Sequence, residues 1–120
     1  MRKATMLTQS IAGVLLAALS LAAQGMDPRA LIDRTQQDVG RSMEFERHKG
    51  RDVVRYDNAQ HHLSEFDREF TRGHFDKGKL GQAINDVKSL VDHNSLEPDL
   101  RDALTGDLRD LRVMRAEHER

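Results

Sequence analysis

The 120-residue chain has no cysteine. Disulfides, thiolate metal ligands and thiol nucleophiles are therefore excluded, as is lipid anchoring through an N-terminal cysteine. The chain also lacks a block of like charge. Its 19 Lys and Arg and 20 Asp and Glu are mixed along the whole length, for a formal charge of −1. No basic stripe is offered to a phosphate backbone, so nucleic acid is not an expected partner. Alternating apolar and polar residues, the mark of a half-buried strand, are missing too. None of the serines beyond the N-terminal region, Ser42, Ser64, Ser89 and Ser95, sits in a G-x-S-x-G elbow. The sequence gives no catalytic residue and no cofactor motif, and the expectation is a non-enzyme.

The N-terminus has the layout of an export signal. Arg2 and Lys3 precede an apolar run over residues 11–23, and small residues follow up to Gly25. The run is shorter than the about 20 residues of a spanning helix, so no stable membrane anchor is expected after cleavage. A cut before Met26 puts Ala23 and Gly25 at −3 and −1; cuts after Ala22 or Ala23 are alternatives. The expected organisation is a signal peptide over 1–25 and one helical domain over 26–120, exported to the periplasm or the extracellular space. Removing Arg2 and Lys3 from the 19 basic residues leaves 17 against 20 acidic ones, a formal charge of −3. So short a chain buries a modest fraction of its surface and has no disulfide to compensate. Either its helices pack well or it gains burial by association.

What the remainder does have is helical periodicity. Tyr56, Ala59, Leu63, Phe66 and Phe70 step by three and four. Leu80, Ile84, Val87 and Val91 form a second stripe, and Leu100, Leu104, Leu108, Leu111 and Met114 a third. Leu31, Ile32, Val39 and Met43 form a weaker fourth. Punctuation agrees with the stripes. Asp27 and Asp76 are placed as N-caps, with Pro28 and Pro98 at first helical positions. Met26 on Leu31 and Phe75 on Leu80 are placed as hydrophobic staples. Gly73 is placed as a left-handed helix end, and Asn94 in the same role. The expected helices are 28–48, 52–72, 77–93 and 98–118, with a break or kink favoured near residues 49–51, around Gly50. Ion pairs are expected between Asp76 and Lys79 and between Glu97 and Arg101. Short connections make neighbours antiparallel. The fold class is all-α: a small up-and-down bundle of three or four antiparallel amphipathic helices after the signal peptide.

Three stretches resemble sites by spacing alone. His61 and Glu65 can chelate across one turn, and His74 and His118 meet if the last helix returns to the start of the third. A firm zinc site needs three or four ligands, which neither pair supplies, so solvated helix faces are the expectation. The segment GHFDKGKL over 73–80 has the glycines and lysine of a P-loop, but Leu80 replaces the magnesium-binding hydroxyl and no strand precedes it. The segment DHNSLEPDLRDA over 92–103 fails the calcium-loop pattern at Leu96, Glu97 and Ala103. The expected mode of action is therefore protein–protein interaction, with a partner, a client or a second copy. Helix-in-groove packing along Tyr56, Leu63, Phe66 and Phe70 is its candidate surface. The alternative is a metal-binding or pH-responsive envelope protein that uses its surface histidines.

Overall fold

A computed structural model describes residues 27–119. The expected signal peptide and the staple from Met26 lie outside the described residues. Among the described residues all regular structure is helical, in four helices: α1 Pro28–His48, α2 Val54–Thr71, α3 Lys77–His93 and α4 Pro98–His118. No helix among them is long and apolar enough to cross a membrane.

Each helix packs on the next, and α1 also packs on α4, so the four close into a ring. Pairings along each seam run in opposite directions. Arg29 faces Asp67, and Gln36 hydrogen-bonds Ser64 at 3.0 Å across α1–α2. Lys79 meets Glu65 across α2–α3, and Arg34 meets Asp107 and Asp110 across α1–α4. At the α3–α4 turn, Arg101 donates to the carbonyls of Val91 and Asn94 at the end of α3.

The break after α1 is real. Gly50 has φ +71°, its N–H reaches the Arg47 carbonyl, and the Arg51 N–H reaches the Glu46 carbonyl. Gly73, at φ +92°, ends α2 in the same way: its N–H bonds to Phe70 and the His74 N–H to Glu69. These paired bonds satisfy carbonyls that a helix end leaves orphaned, and glycine supplies the left-handed residue without a Cβ penalty. The second helix starts two residues later than expected, because the Asp52 carboxylate first takes the Val54 N–H at 3.0 Å.

Three local expectations are corrected. Asn94 ends α3 in an extended conformation, φ −105° and ψ 144°, not a left-handed one. Asp76 uses its carboxylate to cap the Lys79 N–H at 3.0 Å, while the Lys79 ammonium goes to Glu65 instead. Arg101 serves the carbonyls that end α3, which outcompete the i,i+4 partner Glu97. Asp27 holds the N-cap position of α1 but makes no side-chain capping bond.

The core runs along the ring axis. Tyr56, Ala59, Leu63 and Phe66 of α2 meet Leu80, Ala83, Ile84, Val87 and Leu90 of α3 and Leu104, Leu108, Leu111 and Met114 of α4. At one end Phe66, Phe70 and Phe75 form an aromatic knot, with Phe75 edge-on to both other rings. α1 is the exception. It gives the core Leu31, Ile32 and Val39, but four of its seven buried residues, Thr35, Asp38, Ser42 and Glu46, are polar.

Candidate functional site

The histidines do not gather. His61 is exposed and pairs with Glu65 at 3.1 Å. His62 is half-buried against the Asp86 carboxylate of α3. His74 stands at the surface with Glu69 at 3.8 Å. His118 lies flat on the Phe75 ring, 3.7 Å between centroids, with Nδ1 3.1 Å from the Met114 carbonyl. The four candidate ligands His61, Glu65, His74 and His118 are thus spent on local partners. No group of three or more His, Asp or Glu side chains among the described residues could hold a metal ion.

The candidate interaction stripe lies inside the fold. Tyr56, Leu63 and Phe66 are fully buried by the chain's own helices, and Phe70 is half-buried at the aromatic knot. The closed bundle presents only the Phe70 end of the stripe to a visitor.

The most unusual chemistry lies where α1 meets α4, in residues the sequence reasoning did not single out. Asp38, Asp107 and Asp110 are all buried there, with Asp107 1% exposed. Arg34 reaches across from α1, its Nε 2.8 Å from Asp107 Oδ1 and a terminal nitrogen 2.7 Å from Asp110 Oδ2. Arg41 holds Asp38 at 2.6 Å, and Arg109 holds the other Asp110 oxygen at 3.3 Å, both from the largely exposed outer side. Burial works against the Arg34 guanidinium, but its hydrogen bonds to Asp110 and Asp107 outweigh that and hold its pKa above the ordinary value.

Asp107 Oδ2 is buried without a hydrogen-bond partner while the Asp38 carboxyl lies beside it. Burial is the first cause, and the neighbouring Asp38 the second, of an Asp107 pKa raised to about 8, against the pull of Arg34. The neighbours of the cluster look after themselves: Thr35 and Ser42 return their hydroxyls to the carbonyls of Leu31 and Asp38. A signal was present in the sequence. Thr35, Asp38, Ser42 and Glu46 continue the helical stripe of Leu31 in polar residues, and Asp107 falls in register between Leu104 and Leu111.

The opposite end of α1 opens onto a polar cleft of about 460 Å³, lined by Glu46, Arg51, Arg55, His93, Asn94 and their neighbours. Glu46 is 2% exposed and meets Arg51 at 3.4 Å. Burial, helped by the Glu46 charge and opposed by Arg51, raises the Tyr56 hydroxyl to about 12. Tyr56 Oη and Asn94 Oδ1 are the other two buried side-chain atoms without a partner among the described residues. Asn94 lines the recess, and a polar recess with an unpartnered buried oxygen is the setting in which proteins hold bridging water.

Set against family models, curated proteins and solved structures, the chain matches none of them.

Proposed function

We propose that this chain is an exported, non-enzymatic up-and-down helical bundle that acts by binding another protein, an unfolded client or a second copy of itself. The observation that supports the reading is a contrast between helices. α2 carries the aromatic apolar stripe, Tyr56, Leu63, Phe66 and Phe70, yet α1 packs beside it with a buried face more polar than apolar. A helix that gains little from its berth is a helix that a better-matched partner helix replaces. The interaction surface in this reading is the stripe once α1 has moved aside, reached first at Phe70.

Two measurements on residues 26–120 test it. Light scattering in EDTA gives the mass, and a photo-crosslinking side chain at Phe70, in the producing cells, reports what comes near the stripe. A species heavier than the monomer in either is expected. A monomer by light scattering together with no heavier adduct at Phe70 overturns the reading. Assembly that requires zinc transfers the function to the histidines, His61 and His62 included. Export is tested separately: protein recovered outside the cytoplasm begins at Met26, or at Ala23 or Gln24 if an alternative cut is used. A retained Met1 refutes it.

The pH-responsive alternative also has an observation in its favour, though not at the surface histidines. It is the buried carboxyl pair between α1 and α4.

A further inference from the structure

We propose that the polar cleft beside Glu46 is a binding site for a free α-amino acid with an aliphatic side chain, its ammonium group held by Glu46 and Asn94 and its carboxylate by Arg51 and Arg55. The site is at the opposite end of α2 from Phe70, and it stands whether or not the α2 stripe binds a protein.

The cleft is a product of the tertiary fold. Glu46 comes from the last turn of α1, Arg51 from the turn that follows, Val54 and Arg55 from the start of α2, and His93 and Asn94 from the end of α3. Its volume of about 460 Å³ falls within the range of small-ligand sites.

Burial sorts this lining by depth. The Glu46 side chain is 2% exposed, and Asn94 Oδ1 is buried without a hydrogen-bond partner. Arg51, Arg55 and His93 are exposed. The deep groups are thus acceptors, a carboxylate and an amide oxygen, and the cationic groups stand at the mouth.

The Glu46 carboxylate is loosely paired for a buried charge. Among the described residues its hydrogen bonds are to Arg51 Nη1, at 3.4 and 3.5 Å. A charge-assisted bond closes to about 2.7–2.9 Å. A buried carboxylate held this slackly gains from a better donor. Water can satisfy the amide oxygen, but it brings no charge to the carboxylate. A primary ammonium group brings the charge and three N–H donors, enough for Glu46 and Asn94 together.

Charge balance decides against a simple cation or anion. Glu46 and Asp52 offset Arg51 and Arg55 in the lining, with His93 neutral. A ligand of no net charge keeps that balance. An ammonium on Glu46 releases the Arg51 guanidinium, and a carboxylate on the same ligand takes it up in the two-pronged geometry arginine favours. Arg55 makes no ion pair among the described residues, so it is free to join. Asp52 does not compete, because its carboxylate accepts the Val54 N–H. The ligand's side chain is assigned by Val54, which at 56% is the large apolar residue the bundle leaves exposed. An aliphatic group laid on it removes apolar surface from water on both sides.

Calorimetry tests the proposal on protein recovered from the producing cells and dialysed free of small molecules. The probes are L-leucine, 4-methylpentanoate, which lacks the ammonium, and 3-methylbutylamine, which lacks the carboxylate. Leucine is expected to bind saturably with a Kd between about 1 μM and about 1 mM. Each truncated probe is expected to bind at least about tenfold more weakly, because it leaves one charged group of the cleft unpaired. Glu46→Gln keeps the shape and removes the charge; Arg55→Gln changes an exposed residue outside the core. Each is expected to weaken leucine binding by roughly tenfold or more, and Arg55→Gln carries the test alone if Glu46→Gln fails to fold. Leucine is also expected to shift the Val54 methyl resonances. No saturable heat up to about 10 mM leucine overturns the proposal. So does a truncated probe that binds as tightly as leucine, since the cleft is then a plain anion or cation site. Unchanged leucine affinity in Arg55→Gln, or Val54 methyls that stay still as leucine binds, overturns it as well.

Discussion

Replacing Phe66 by alanine separates a core stripe from an interface stripe. The ring is 0% exposed, stacks on Phe70 with centroids 6.1 Å apart, and stands edge-on to Phe75 at 5.1 Å. Truncating a fully buried phenylalanine costs about 3–5 kcal/mol. Some of that is its aromatic neighbours, each worth roughly 0.5–1.5 kcal/mol beyond area. A domain of this size has a total stability of about 5–14 kcal/mol, so the substitution removes between about a fifth and all of it. In a urea titration the midpoint is expected to fall by about 2–4 M at unchanged slope. Phe70→Ala, at a half-buried ring, is expected to cost about 1–2 kcal/mol. The double variant is expected to depart from additivity by roughly 0.5–1.5 kcal/mol, because the two rings touch. The reasoning is refuted if Phe66→Ala costs less than about 1 kcal/mol at unchanged slope. In that event the ring is not held by its own chain in solution. A simultaneous change in mass then points to a partner as its real neighbour.

Three further outcomes are expected. Asp76→Ala loses the capping bond to Lys79 and is expected to cost about 1 kcal/mol, a fall of roughly 4–8 °C in Tm. Asp27→Ala, which loses no side-chain bond, is expected to stay within about 0.5 kcal/mol in the same melt, and equal costs would contradict the assignment. Gly73→Ala is expected to cost about 1–2 kcal/mol even though its Cβ would meet nothing within 4 Å, because the backbone is left-handed there. Gly106→Ala, inside α4 with only a flexible Arg109 tip near, is expected to gain about 0.4–1 kcal/mol. Glu65 titrates below the ordinary carboxylate range, first through its hydrogen bond from Lys79, so what it adds to stability is present above its unfolded pKa and lost as pH falls. Carboxyl NMR is expected to show that low value returning toward normal in Lys79→Met; an unchanged titration would remove Lys79 as the cause.

The parts of this fold that were legible in the sequence are those governed by local chemistry. Pro28 and Pro98 open helices because their rings fix φ and lack the N–H a first turn leaves unused. Gly73 closes one because glycine alone enters the left-handed region freely. The stripe from Tyr56 to Phe70 was legible because its period is uninterrupted. The misses share a different cause. Whether Lys79 prefers Asp76 or Glu65, and whether Arg101 prefers Glu97 or the end of α3, is decided by which neighbour the tertiary fold brings near. The stripe of α1 reads as weak because its gaps hold the polar residues of the α1–α4 seam. An aspartate in register between two leucines looks like a pause in the pattern until the facing helix is known to hold another.

Because α1 and α4 lie side by side and run in opposite directions, Asp27 and His118 belong to the same end of the ring. That end also holds the Gly73 turn and the Phe75–His118 stack. Anything joined to either end of the described chain leaves from this pole. The other pole, with the turn at Gly50, the Asn94 connection and the cleft beside Glu46, faces away from any such attachment. The ring therefore has two unlike poles, one holding both ends of the described chain and one holding the polar cleft. Its order around the axis does not depend on which of the four seams the chain leaves unjoined.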